Sequence, residues 1–314
     1  MAESRQLVVV DERTRKRFQA DPGRFFERAI KAHVLNSPLN RLEAFDGDPI
    51  FEKPLVGFAD GDDPIFDEFR AAVADFHMTP RDVLAKHLRE TSAGRLKDSA
   101  PVSVISWVLP FDRGIRRSNG KETQGPSLRW NHGRWHGQDV TTELSGYVVS
   151  LLEDMGHRAV APELSPFFEM RELPNGLAST WSQRHVAYAA GLGTFGLSDG
   201  FITPRGLAIR CGSVVTDLEL TPSPRPYAHH QANCRFYADG SCGRCIQRCP
   251  GGAISEAGHD KKRCLTVLIV EQKPWRDGAH GEGYIGTYAG CGLCQTGVPC
   301  EHRIPSRSKR KHTS

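Results

Sequence analysis

The sequence predicts a mixed α/β (α+β) core joined to a small, cysteine-rich, metal-binding module. Between residues 101 and 220, short apolar strand patterns alternate with helical ones, as in layered folds of sheet and helix. From about residue 221 the chain turns rich in proline, cysteine and glycine, and eight of its nine cysteines fall between Cys234 and Cys300. A chain of 314 residues is long enough for two such units with a substantial core.

Taken in order, residues 1–100 read as a helical N-terminal region. "DERTRKRFQADPGRFFERAIKAH" sets Phe18, Phe25, Phe26 and Ile30 on one apolar face, with Pro22 breaking or starting a helix. "TPRDVLAKHLRE" is a helix capped by Thr79, with Pro80 in the first turn and Val83, Leu84 and Leu88 at helical spacing. The core, 101–220, opens with "PVSVISWVLP", a β-branched run closed by prolines and read as a buried strand. The Gly-, Asn- and Arg-rich stretch from Phe111 to Gln138 lacks clear periodicity and reads as a long loop. A helix follows with Leu144, Tyr147, Val148, Leu151, Leu152 and Met155 on one stripe, Asp139 or Thr141 as its cap and Gly156 as its stop. "HRAVAPEL" reads as a strand, "TWSQRHVAYAAGLG" as a helix ended by glycine, and "GLAIRCGSVVTDLEL" as a strand. The module occupies 221–304, and 305–314 is a basic, solvated tail.

Composition narrows the class. Hydrophobic residues at 39% and charged residues at 25% fit a soluble globular protein, and a net charge of +4 is too mild to argue for nucleic acid as the main partner. No apolar run reaches membrane-spanning length, and the first residues lack the apolar region of a secretory signal. The expectation is a cytoplasmic protein without a membrane partner, in a compartment where structural disulfides are rare.

The cysteine spacing separates the remaining choices. Cys242, Cys245 and Cys249–Pro250 match the last three positions of the iron–sulfur run C-x2-C-x2-C-x3-C-P, in which the final cysteine crosses to the other cluster. Cys234 replaces the first position if "RFYADG" loops out, and Cys264, Cys291, Cys294 and Cys300 complete a second set. Crossing assigns Cys234, Cys242, Cys245 and Cys300 to one [4Fe–4S] cluster and Cys249, Cys264, Cys291 and Cys294 to the other. A zinc ribbon is the competing reading, but it leaves Cys249–Pro250 and the total of eight without a role. Cys211, in "LAIRCGSVV", is a buried structural thiol on this account.

The segment "AAGLGTFGLSDGFITPRGLAIRCGSVVTDLEL" resembles one shared by epoxyqueuosine reductases and corrinoid reductive dehalogenases. "CGRCIQRCPGGAI", "KKRCLTVLIVE" and "YAGCGLCQ" resemble, in the same order, the ferredoxin-like domain of that group. The resemblance implies a nitroreductase-like cobalamin-binding core, a C-terminal domain with two [4Fe–4S] clusters, and an oxidoreductase in which the clusters feed electrons to base-off cobalamin. It also implies an external low-potential donor of ferredoxin or flavodoxin type and a small-molecule or tRNA substrate. Gly191, Gly193, Gly196 and Thr203 fall in the matching segment and are the candidate cobalamin contacts; a helix C-cap with tight packing is the plainer reading of the glycines.

Two departures bear on substrate and ligands. The second cysteine group reads Val298-Pro299-Cys300 where the family has Cys-Pro, and Trp135 in "GRWHGQD" replaces the family's proton-donating aspartate. Asp139 and His136 are therefore the candidate proton donors, with a helix cap and a solvated loop as their alternatives. The competing functions are a true epoxyqueuosine reductase acting on tRNA and a non-catalytic two-cluster electron carrier.

Overall fold

The computed structural model describes residues 11–281 and 290–306. Residues 307–314, most of the basic tail, lie outside them.

Helix α1 (Glu12–Ala20) is capped by Asp11, and α2 (Pro22–Asn36) restarts at once behind Asp21 with its proline in the first turn. Phe18, Phe26, Ile30 and Val34 face inward from this pair. Strand β1 (Leu55–Asp60) follows, then α3 (Ile65–Ala72) and α4 (Pro80–Glu90), the latter held by a capping box between Thr79 and Asp82. Strand β2 (Ser103–Pro110) is buried along its whole length. Next come α5 (Arg113–Asn119), α6 (Leu128–Asp154), β3 (Ala159–Val160), α7 (Gln183–Ala189) and β4 (Ile209–Thr216).

The four strands form one sheet in the order β1-β2-β4-β3, and every neighbouring pair is antiparallel. Alternate β2 residues enter different cores. Ile105, Trp107 and Leu109 pack with α2 and α6, and Val104 and Val108 pack with α3, α4 and α7. Burial on both faces explains why β2 reads as a continuous apolar run despite its antiparallel partners. The architecture is thus α+β.

Three expectations change. The N-terminal hundred residues are not a separate helical region, because β1 pairs with β2 from Leu55↔Val108 to Asp60↔Ser103 and forms the sheet edge. The Phe111–Gln138 stretch contains α5 and the first three turns of α6. Ser127, not Asp139 or Thr141, caps α6 by accepting the Trp130 N–H at 3.1 Å. Helical periodicity was masked there because α6 is enclosed by the sheet, the N-terminal helices and the cysteine module, so Trp130, Asn131, His132 and Gly133 are all buried. Among the described residues no helix is long and apolar enough to cross a membrane.

Candidate metal centres and active-site cavity

The module folds as short helices and turns around two groups of cysteines. Cys234, Cys242, Cys245 and Cys300 line a common void of about 30 Å³. Cys249, Cys264, Cys291 and Cys294 gather on the wall of a much larger cavity. Burial, then the neighbouring cysteines, pushes the thiols of Cys245 and Cys264 up to about 11, and Cys294 and Cys300 move further the same way. Such thiols hold their protons until a metal displaces them. Among the described residues no three His, Cys, Asp or Glu side chains are close enough to grip a single ion. The first quartet lines a small common void and the second shares one cavity wall, so each gathers the four thiols that a multi-iron cage needs. Two amides already point at sulfur: the Ala253 N–H donates to Cys249 Sγ at 3.2 Å, and Gln272 Nε2 to Cys291 Sγ at 3.3 Å.

Arg248 and Asn119 join this module to the core. The Arg248 guanidinium, 8% exposed, donates to the carbonyls of Leu293 (3.2 Å), Thr296 (3.0 Å), Glu122 (2.6 Å) and Asn119 (3.2 Å). Asn119 Nδ2 in turn donates to Cys291 O at 3.2 Å and Thr296 Oγ1 at 3.0 Å. The x3 segment between Cys245 and Cys249 thus carries, at Arg248, a guanidinium that pins the other limb of the module. Trp130 Nε1 donates to Gly290 O, adding a third stitch.

The larger cavity, about 520 Å³, lies between the sheet and the module. Its wall carries the rings of Phe111, Trp130, Phe168, Trp181 and Phe201, and the polar groups of Gln138, Ser182, Gln183 and Ser198. Arg134, Arg184 and Arg210 add positive charge. Two acid–base groups also line it. Glu163 follows β3, and burial raises its pKa against the opposing pull of the Gln183 hydrogen bond and the Arg210 charge. His259 comes from the module, with Nδ1 3.1 Å from Asp199 Oδ2, and this Asp199 sits at a left-handed φ of 54°. Cys211, also on the wall, is a thiol that burial pushes up to about 12.

The structure does not bring Asp139 or His136 to this cavity. Both lie inside α6; Asp139 is solvent-exposed, and His136 packs beside His132 with ring centroids 5.5 Å apart. At 3.6 residues per turn, His136 is roughly 200° around the helix from the cavity-lining Arg134. Gly191, Gly193 and Thr203 also stand away from it. Gly191, at φ 72°, ends α7 where a Cβ would strike Pro224 O, and a Cβ on Gly193 would strike Ile202 O. Thr203, fully buried, donates to Gly206 O at 2.8 Å and so closes a turn. Gly196 lines the small void of the first cysteine quartet. These close approaches are chain against chain. Of the arginines in the Phe111–Gln138 stretch, Arg116 pairs with Glu52 at 3.1 Å and Arg129 with Asp48 at 2.8 Å, while Arg134 reaches the cavity wall.

Sequence reasoning missed Glu163, Gln183 and His259. The one available signal was that Glu163 directly follows a strand in "HRAVAPEL".

An α+β core whose cavity is walled by a cysteine quartet is the form of a metal-cluster protein. Residues 240–300 match the 4Fe-4S double cluster binding domain, so the chain carries such a domain. Its curated relatives are epoxyqueuosine reductases. The protein from Bacillus anthracis is 27% identical over 213 residues, covering 64% of this chain and 48% of the relative. That from Synechocystis sp. is 30% identical over 205 residues, covering 64% and 63%. The match thus spans about half of the first relative's length and less than two thirds of the second's. Among solved structures, an epoxyqueuosine reductase bound to an epoxyqueuosine-modified tRNA stem loop is 17% identical with a TM-score of 0.47, covering 91% of this chain and 66% of that one. A catabolic reductive dehalogenase is 14% identical with a TM-score of 0.48, covering 94% and 39%.

Proposed function

We propose that the protein is a cytoplasmic oxidoreductase related to epoxyqueuosine reductase, which reduces its substrate with electrons passed through two [4Fe–4S] clusters to base-off cobalamin. One observation carries the reading: the quartet Cys249, Cys264, Cys291 and Cys294 opens into the same cavity as aromatic rings, side-chain amides and an acid. A carrier that only relayed electrons between partners has no use for such a cavity beside a cluster.

Cys234, Cys242, Cys245 and Cys300 hold the outer cluster in this scheme, and the other quartet holds the one beside the cavity. An external donor of ferredoxin or flavodoxin type supplies the electrons one at a time. The cavity suits a flat macrocycle with an amide-bearing rim, since Trp130, Trp181 and Phe201 offer apolar faces and Gln138, Ser182 and Ser198 offer hydrogen bonds. Cobalamin, when bound, supplies a strongly reducing, nucleophilic cobalt. The chain's own residues bind and orient the substrate, exclude water and hold the proton that reduction requires.

Anaerobic reconstitution with iron, sulfide and cobalamin tests the reading. About eight irons and eight sulfides per chain are expected from two cubanes, together with the spectrum of cobalt lacking its nitrogenous lower ligand. Clusters without corrinoid uptake would leave an electron carrier. The substrate is left unassigned, and epoxyqueuosine, which the curated relatives are named for, is one candidate beside a small molecule. Turnover of an epoxyqueuosine-modified stem loop by the loaded protein tests this, and its absence would point to a small molecule.

A further inference from the structure

A chain of hydrogen bonds, buried at Trp181 and Ser213 and half-buried beyond them, ends on Glu163. Trp181 Nε1 donates to Ser213 Oγ at 3.0 Å, Ser213 Oγ donates to Gln183 Oε1 at 2.7 Å, and Gln183 Nε2 donates to Glu163 Oε2 at 3.1 Å. Trp181 is 2% exposed and Ser213 1% exposed, so water does not compete for these groups.

The direction of the chain follows from its first member. An indole N–H only donates, so Ser213 Oγ must accept from it and has a single proton to pass on. That proton goes to Gln183 Oε1, which fixes the amide with its nitrogen toward Glu163. Oε2 of Glu163 therefore accepts, and the proton of a neutral carboxyl belongs on Oε1. Among the described residues Glu163 has no other hydrogen-bond partner, and its side chain lines the cavity that the Cys249–Cys264–Cys291–Cys294 quartet also lines.

We propose that Glu163, aimed by Trp181, Ser213 and Gln183, is the protonated acid of this cavity and gives its proton to the substrate reduced there. The proposal rests on the reductase reading for its substrate, but not for the state of the carboxyl. Burial favours the neutral acid and outweighs the Gln183 hydrogen bond and then the Arg210 charge, both of which pull the other way; Cys211 is the buried thiol that Glu163 and Arg210 affect in turn. In the step itself, two electrons from the ferredoxin- or flavodoxin-type donor enter as one carbon–heteroatom bond of the substrate breaks, leaving one electron pair on carbon and one on the heteroatom. The O–H bond of Glu163 breaks and its proton goes to the heteroatom; the carbon's pair then takes a solvent proton or, in an epoxide, forms the C=C bond and expels hydroxide, which takes that solvent proton. Solvent also reprotonates Glu163.

Infrared difference spectra of the cluster-loaded full chain, before any corrinoid is added, test the state of the acid. Wild type should show a protonated carboxyl band that Glu163→Gln lacks and that titrates above the ordinary glutamate range. Ser213→Ala should shift that band by freeing the Gln183 amide. No band difference, or a midpoint in the ordinary range, overturns the assignment. The second arm uses chemically reduced viologen as donor and the epoxyqueuosine-modified stem loop as probe. Glu163→Gln should lower kcat by about 10²- to 10⁴-fold with cobalamin uptake unchanged. An unchanged rate overturns the donor role, and loss only in His259→Gln moves it to the His259–Asp199 pair. If wild type takes up no cobalamin, the reductase reading fails, while the infrared result still decides the acid.

Discussion

Replacing Arg248 with methionine removes three N–H groups that serve four carbonyls, two of them in the turn that carries Cys294. A hydrogen bond from a charged group contributes about 1.5–3 kcal/mol, and a buried acceptor left without a donor costs about 1–3 kcal/mol. Simple addition overshoots, because water enters the gap and the turns relax. One or two acceptors left dry, at about 1–3 kcal/mol each, set the loss expected here at about 2–5 kcal/mol. Since Arg248 spans the module and the 119–127 connection, that loss should be local. The cluster beside the cavity should be lost first, with iron and sulfide falling toward about four each per chain, and protease should cut between Asn119 and Ser127. Arg248→Lys should recover little, because one ammonium cannot reproduce a planar fan of donors. Full cluster content and an unchanged melting temperature in Arg248→Met would refute the view that this side chain ties module to core.

Further outcomes follow from the same geometry. Cys300→Ser should lose one cluster or degrade it to a three-iron form by EPR, while Cys211→Ser, on β4 and a member of neither quartet, should leave both intact. Gln272→Leu removes the N–H donor to Cys291 Sγ; a preferential loss of about 1 kcal/mol in the reduced state lowers that cluster's potential by about 40 mV in a redox titration. His77 and His185 are buried neutral, with burial pulling their pKa values from 6.5 down to about 4 and about 3. As pH falls below 6.5 the unfolded chain binds protons that the folded chain refuses, so stability present above 6.5 is lost on the way down to about 4 for His77 and about 3 for His185. His77 alone accounts for about 3 kcal/mol of this. His77 Nε2 accepts the Ser182 N–H at 3.1 Å, so His77→Gln should keep the contact and flatten the melting curve's dependence on pH.

The sequence by itself determined the elements whose signals are local. Thr79-Pro80 before Val83 and Leu84, the β-branched run of β2 and the glycine stop of α7 all express preferences within a few residues. The cysteine spacing likewise carried its chemistry, because a metal cage demands thiolates at short, regular intervals. What depends on distant contacts was not legible. β1 looked like part of a helical region because its pairing partner is about fifty residues away. The start of α6 was hidden because surrounding layers bury several of its sides, which erases the apolar stripe. Asp139 and His136 were plausible donors in a loop, but a helix turns them away from the cavity. Gly191 and Gly193, expected to meet a ligand, meet Pro224 and Ile202 instead. Glu163, Gln183, Ser213 and Trp181 show no shared pattern along the chain. Only the packing of β3, α7 and β4 brings them within hydrogen-bonding reach, and there burial and the one-way donor of an indole give the carboxyl its direction.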